Sequence, residues 1–233
     1  MAALASLQAE TDANARVLET LAHIPNGGGY STTSETSAKL RTAVNVSGRD
    51  LVLMPKRAMP SYCSGATYLV FLNAVRPNLT PEAAARLAEM QQADGHGVWG
   101  RWNANGPGTA RLFYELGLGR NFTDLESARP GDFLKIFWRD AVGKNEFGHS
   151  VIFLGTETKD GVPHLRFWSS NKPEGYGEKS VPLSKAKRLL FSRLEHPERI
   201  TAVTQLPEKD AYLASLLTVE SSFAEALRKS GAN

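Results

Sequence analysis

Apolar positions change their period twice along the 233 residues of this chain. Up to about residue 117 they recur at helical spacing, from 129 to 194 they bunch into short aromatic and branched runs bounded by turn residues, and after Pro207 helical spacing returns. Leu4, Leu7, Val17, Leu18, Leu21 and Ile24 predict an N-terminal helix, which Pro25-Asn26-Gly27-Gly28-Gly29 ends. The polar segment from Ser31 to Ser37 reads as a loop or a helix cap. A second, almost wholly apolar helix is expected from Cys63 until Pro77, and Thr80-Pro81-Glu82 opens a third, with Ala83, Leu87 and Met90 sharing a face as far as Asp94. Thr109 to Gly117 predicts one short helix more. Strands are expected at 133–138, 147–155, 163–169 and 188–194, the middle two joined by the turn Lys159-Asp160-Gly161. Leu213, Leu216, Leu217, Phe223 and Leu227 then form a helical stripe. Helices first and antiparallel strands next make the fold class α+β.

Composition narrows the function only slightly. A content of 42% hydrophobic and 22% charged residues is ordinary for a globular protein, and no apolar run is long enough to span a membrane. The formal charge of +3 fits an anionic surface such as cell wall or nucleic acid. No nucleic-acid module accompanies the basic residues, so no nucleic-acid partner is expected. The N-terminus lacks the basic start and continuous apolar core of a secretory signal. Metal-ligand clusters are missing from the pattern, so neither a metal nor another cofactor is expected.

The candidate chemistry starts at Pro60-Ser61-Tyr62-Cys63-Ser64-Gly65. Cys63 is the only cysteine and stands where a polar turn meets the apolar helix. A lone cysteine is usually a small buried hydrophobe. On the first turn of a helix, however, unsatisfied N–H groups and the positive end of the dipole favour the thiolate. The small residues Ser64 and Gly65 leave room for a substrate. A nucleophilic thiolate needs a base and a group to orient that base. Of the five histidines, His149 opens a strand, where its ring can face a helix N-terminus. If the following hairpin turns about Asp160, position 149 lies opposite Asn171, whose amide carbonyl would fix the imidazole tautomer; a bulge or an asymmetric turn would nominate Ser169 or Ser170 instead. In the glycine-rich stretch 95–108, Trp99 and Trp102 are read as an exposed wall of a substrate cleft, weighed against two rings that plug the domain from outside. Tyr62 and Ser64, beside the nucleophile, are the other candidate substrate contacts. For a second oxyanion donor beside the Cys63 backbone N–H, Tyr62 and Tyr30 are candidates.

Three motifs in order, Cys63-Ser64-Gly65 heading a helix, Arg129-Pro130-Gly131-Asp132-Phe133 entering a strand and Gly148-His149-Ser150-Val151-Ile152-Phe153-Leu154-Gly155, resemble the NlpC/P60 branch of papain-like cysteine peptidases. The resemblance covers roughly residues 55 to 195. It implies a nucleophile helix packed on an antiparallel sheet, with Cys63 as nucleophile, His149 as base and a polar residue of the next strand as orienter. Members cleave amide bonds in bacterial cell-wall peptides, often between D-glutamyl and diamino-acid residues. The expectation is therefore an amide hydrolase of peptidoglycan peptides in the cell envelope, periplasmic or secreted, monomeric, with a helical extension over 1–44, a catalytic domain over 45–200 and a C-terminal helical tail over 201–233 packed on it. A non-catalytic wall- or glycan-binding module and an acyltransferase or transglutaminase-like enzyme are the alternatives. Many members carry an aspartate just before the cysteine, thought to engage the substrate's free amine; this chain has Tyr62.

Overall fold

In a computed structural model that describes residues 2–90 and 94–232, the helix that starts with Cys63 is buried on every side. That helix, and the sheet beneath it, dictate the order of everything else. Ahead of it come α1 (Ala2–His23), β1 (Gly27–Gly28), α2 (Ser34–Thr42) and the hairpin of β2 (Val44–Ser47) and β3 (Asp50–Leu53). The helix that starts with Cys63 is α3 (Cys63–Val75), followed by α4 (Pro81–Ala88), α5 (Gly97–Trp102) and α6 (Gly108–Leu116). Then come β4 (Gly119–Phe122), β5 (Phe133–Phe137), β6 (Val142–Gly143), β7 (Gly148–Lys159), β8 (Val162–Asn171), β9 (Gly175–Pro182) and β10 (Arg188–Leu194). The chain finishes with α7 (Ala211–Ser215), β11 (Glu220–Ser221) and α8 (Phe223–Lys229).

Seven strands form one antiparallel sheet in the order β1-β9-β8-β7-β5-β10-β4. The architecture is thus mixed α+β, as the periods predict. Alternation along the strands sorts side chains between two faces. Phe133, Ile152, Trp168 and Tyr176 join the core with α3, whereas Leu134, Ile136, Val151, Phe153, Leu165 and Phe191 form a second cluster under the loop residues Leu125 and Leu183. Because α3 has the sheet on one side and α1 on the other, it carries no polar stripe; of its 13 residues only Cys63 and Asn73 escape full burial. No helix among the described residues is long and apolar enough to cross a membrane.

The segments expected as extensions complete this core. Helix α1 sets Ala13 and Val17 into it and Ile24 follows just past its end, while Leu4 and Leu7 fall among side chains outside the described residues. The glycines that end the first helix form the edge strand β1, paired with β9: Gly27 faces Tyr176 and Gly28 faces Gly175. Position 175 has φ +94°, and a Cβ there would lie 2.3 Å from the Gly27 carbonyl oxygen, so only glycine lets the two backbones meet. Helix α4 stops at Ala88, short of the expected Asp94, and 91–93 lie outside the described residues. The tail past Pro207 holds two short helices rather than one long stripe. Their Leu213, Leu216 and Ala226 are all buried.

At the entry to β5 lies the strongest polar anchor. Asp132 is wholly buried and receives Arg193 Nε at 2.9 Å and Nη2 at 2.7 Å, the Arg129 backbone N–H at 2.8 Å and Asn14 Nδ2 at 3.1 Å. One carboxylate therefore ties α1, the turn at 129–132 and β10 together. Replacing Asp132 by Asn keeps the shape but removes the counter-charge of a buried guanidinium, and a loss of about 3–5 kcal/mol of stability is expected. Chemical denaturation of D132N measures it.

Candidate active site

Helix α3 begins at Cys63 because Tyr62, at the cap, has extended backbone angles (φ −134°, ψ 167°) and the chain turns helical one residue later. The sulfur is half-buried and opens into a polar cleft of about 340 Å³, walled by Tyr30, Thr32, Ser37, Asn103, Asn105, Lys135, Glu146 and Phe147. Burial by itself would push the thiol up. The hydrogen bond from His149, the charge on that imidazole, the Ser150 backbone N–H and the Lys135 ammonium together outweigh it and bring the thiol down from 9.0 to about 6. A substantial fraction is thiolate near neutrality.

The groups acting on the sulfur occupy two adjacent rungs of one ladder. Between β5 and β7, Lys135 faces Ser150 and Ile136 faces His149. Gly148 makes the approach possible, since a Cβ there would sit 2.8 Å from Lys135 Cε and 3.0 Å from Glu146 Oε1. Glu146 is 97% buried by its side chain, being 3% exposed; it pairs with Lys135 and accepts N–H groups from Gly106 and Gly143. The ammonium is thereby held in the cleft. Sequence reasoning missed Lys135 and Glu146, because a lysine inside a strand and a glutamate in a turn carry no local signal of their meeting.

His149 Nε2 lies 3.1 Å from Asn171 Oδ1. The amide's orientation is set by its other end: Nδ2 donates to Ser169 O at 3.3 Å and to Gly177 O at 2.8 Å, so Oδ1 is the atom that faces the ring. An acceptor at that position requires Nε2 to carry a proton, which leaves Nδ1 for Cys63. Ser169 and Ser170 are both fully buried and engaged elsewhere, Ser169 Oγ donating to Ser150 O at 2.7 Å and Ser170 Oγ to Ser61 O at 3.0 Å.

The hairpin puts 149 opposite 171 through two offsets that cancel. Its turn is the pair Asp160-Gly161 (φ 51° and 76°), not a turn centred on Asp160, so Lys159 pairs with Val162 and Gly155 with Arg166. A bulge at Leu154 then slips the register by one, and Ile152 faces Trp168. Three residues further along each strand are His149 and Asn171. Without the bulge the histidine would face Lys172.

Tyr30 reaches the sulfur from β1's end of the sheet. Its hydroxyl hydrogen-bonds Cys63 and is pushed up by burial and by that thiolate. The backbone around it is pinned on both sides: Tyr30 N–H donates to Pro173 O at 3.2 Å, and Ser31 N–H to Ser61 O at 3.0 Å.

The remaining expected contacts fall differently. Trp99 and Trp102 are 5% and 2% exposed and belong to helix α5 inside the core, not to an open loop. Trp102 Nε1 donates to Ser64 O at 3.1 Å and its ring stacks on Phe71, while Trp99 packs against Tyr68. Only the margin of Trp102 meets the cleft. Glycine content misled there because Arg101, itself fully buried, caps the carbonyls of Gly95, Gly97 and Pro207 and lets a glycine-rich segment pack. Tyr62 is 7% exposed with its hydroxyl 3.3 Å from Ser37 Oγ, and Ser64 Oγ is bonded to Asn103 Oδ1. Both line the cleft with side chains already engaged by the protein.

A larger groove of about 470 Å³ between α1 and α3 shares no lining residue with this cleft. No cluster of three metal-ligating side chains exists among the described residues. No family model, curated protein or solved structure matches the chain. What the site does must therefore be read from its own groups.

Alkylation by iodoacetamide tests the thiolate directly. Because Cys63 is an acid whose value is lowered, reactivity is expected to persist on acidification and to fall through about pH 6. Replacing His149 by Ala is expected to move that inflection up toward the value of a free thiol, and Lys135→Met to move it up by less. An inflection near 9 in the unmodified protein would contradict the assignment.

Proposed function

We propose that this protein is a cysteine hydrolase that cleaves an amide bond through an acyl-enzyme, on a papain-like frame similar to that of the NlpC/P60 peptidases. The observation that carries the reading is the Asn171 amide, whose committed N–H groups dictate the protonation of His149 and so present a base to the sulfur. A cysteine kept only for packing needs no oriented imidazole.

The thiolate attacks the substrate carbonyl, a C–S bond forms and the carbonyl electrons become an oxyanion. The Cys63 backbone N–H and the Tyr30 hydroxyl are the donors best disposed to hold it, Tyr30 because its hydroxyl already meets the sulfur. As the C–N bond breaks, His149 Nδ1 gives its proton to the departing amine. Water then enters with the same nitrogen as base, the C–S bond breaks and the thiolate returns. Asn171 keeps the ring in one tautomer throughout.

Peptidoglycan peptides in the cell envelope are the substrate class and place that the resemblance implies. The family's usual aspartate has no counterpart here, since Tyr62 is spent on Ser37 and on packing against Trp99. A free amine would find no carboxylate at that point, which favours a substrate other than the usual one. The glycan-binding alternative loses its main support with the burial of Trp99 and Trp102.

Cys63→Ala is expected to abolish release of peptide fragments from purified peptidoglycan or from an amide library, read by mass spectrometry, while thermal unfolding stays cooperative. Undiminished cleavage by that variant sinks the mechanism. Tyr30→Phe is expected to lower kcat by about 10²-fold with little change in KM, the signature of a lost oxyanion donor.

A further inference from the structure

A second hollow adjoins the catalytic groups on the far side of the imidazole. About 180 Å³ in volume, it is lined by Trp138, Phe147, Phe167 and Val181, with His149 and Asn171 at its inner end and Lys172 and Lys179 on its rim. Tyr30, Phe147 and Gly148 also line the polar cleft, so the two hollows adjoin, and His149 lines the second. Their chemistries differ sharply. The cleft around Cys63 is walled by hydroxyls, amides and the Lys135–Glu146 pair, whereas the hollow beyond the ring is aromatic and aliphatic. Phe147, which lines both hollows, is 56% exposed, with the Arg139 guanidinium 5.5 Å from its ring centre.

The direction of the reaction assigns the halves. His149 must hand its proton to the departing nitrogen, so the amine portion lies on the imidazole side and the acyl portion on the helix side. The rim adds charge. Lys172 holds its ammonium 5.2 Å above the Tyr30 ring, and among the described residues no carboxylate pairs with it. Lys179 donates to the Lys172 carbonyl at 2.8 Å and has Glu174 3.8 Å away.

We infer that the leaving group is an α-amino acid with a bulky apolar side chain and a free carboxylate, the side chain seated among Trp138, Phe167 and Val181 and the carboxylate facing Lys172. This rests on the acyl-enzyme reading above and adds the substrate class to it.

Partitioning of an acyl-enzyme tests the inference without knowledge of the natural acyl group. p-Nitrophenyl acetate acylates Cys63 as the C–S bond forms, the ester C–O bond breaks and p-nitrophenolate leaves. An added amine then competes with water: its nitrogen bonds the acetyl carbon, the C–S bond breaks, and His149 takes the amine's proton. By microscopic reversibility that amine occupies the leaving-group side. With free-amine concentrations equalised, phenylalanine is expected to trap the acetyl group about tenfold or more better than glycine, as burial of one apolar side chain implies. Phenylalaninamide is expected to trap it less well than phenylalanine, and Lys172→Gln to erase that difference. Val181→Asp is expected to reduce the preference for phenylalanine over glycine.

The failures separate. A normal burst of p-nitrophenolate followed by equal trapping of all three amines overturns the subsite and leaves the hydrolase reading standing. No burst beyond that of Cys63→Ala overturns the nucleophile, and this inference with it.

Discussion

A charge at the end of a wholly buried helix is the constraint on which this molecule turns. Helix α3 is apolar all round, so the fold must cover it with the sheet beneath and α1 above. Cys63 inherits the low polarity of that setting, and burial alone would keep its proton on. The sheet reverses the outcome at two neighbouring rungs, where His149, the Ser150 N–H and Lys135 converge on one sulfur. Core and chemistry are thus the same contact seen from its two sides.

The scaffold around that contact is built to hold orientation rather than to add area. Asn171 closes its two N–H groups on backbone carbonyls of β8 and β9, so the imidazole's partner cannot rotate without losing both bonds. Tyr30 arrives from the N-terminal segment, seated between the start of β9 and the residue pair ahead of α3. Glu146 ties Lys135 to the loops at Gly106 and Gly143. Each group around the sulfur is therefore fixed by backbone from a different part of the chain, the kind of precision that a nucleophile and base would require.

Much of this was legible in the residues. The position of Cys63 at a helix start, the strands at 133–138 and 147–155 and the change from helical to strand period all follow from local pattern, because backbone preference and alternation act over a few residues. Asn171 was reached by hairpin arithmetic that worked although each of its steps was off by one: the turn sits half a residue later and the bulge at Leu154 restores the count. Of the two readings weighed for Trp99 and Trp102, an exposed wall and rings packed onto the domain, the exposed wall is not what the fold makes, since nothing in a glycine-rich stretch announces that a buried Arg101 will cap its carbonyls. The edge strand at Gly27–Gly28 had no counterpart in that reading, as a strand of two glycines has no side-chain period to betray it.

The amino-acid order alone determined the class of the fold and singled out Cys63 and His149, because helix starts, apolar periods and residue chemistry are properties of short segments. Only the folded chain decided which groups surround the sulfur. Lys135, Glu146, Ser150 and Tyr30 come together through strand register and through a segment more than thirty residues before Cys63. Register and long-range packing depend on every intervening turn and bulge, and a single slipped rung would have brought a lysine to the histidine in place of the asparagine.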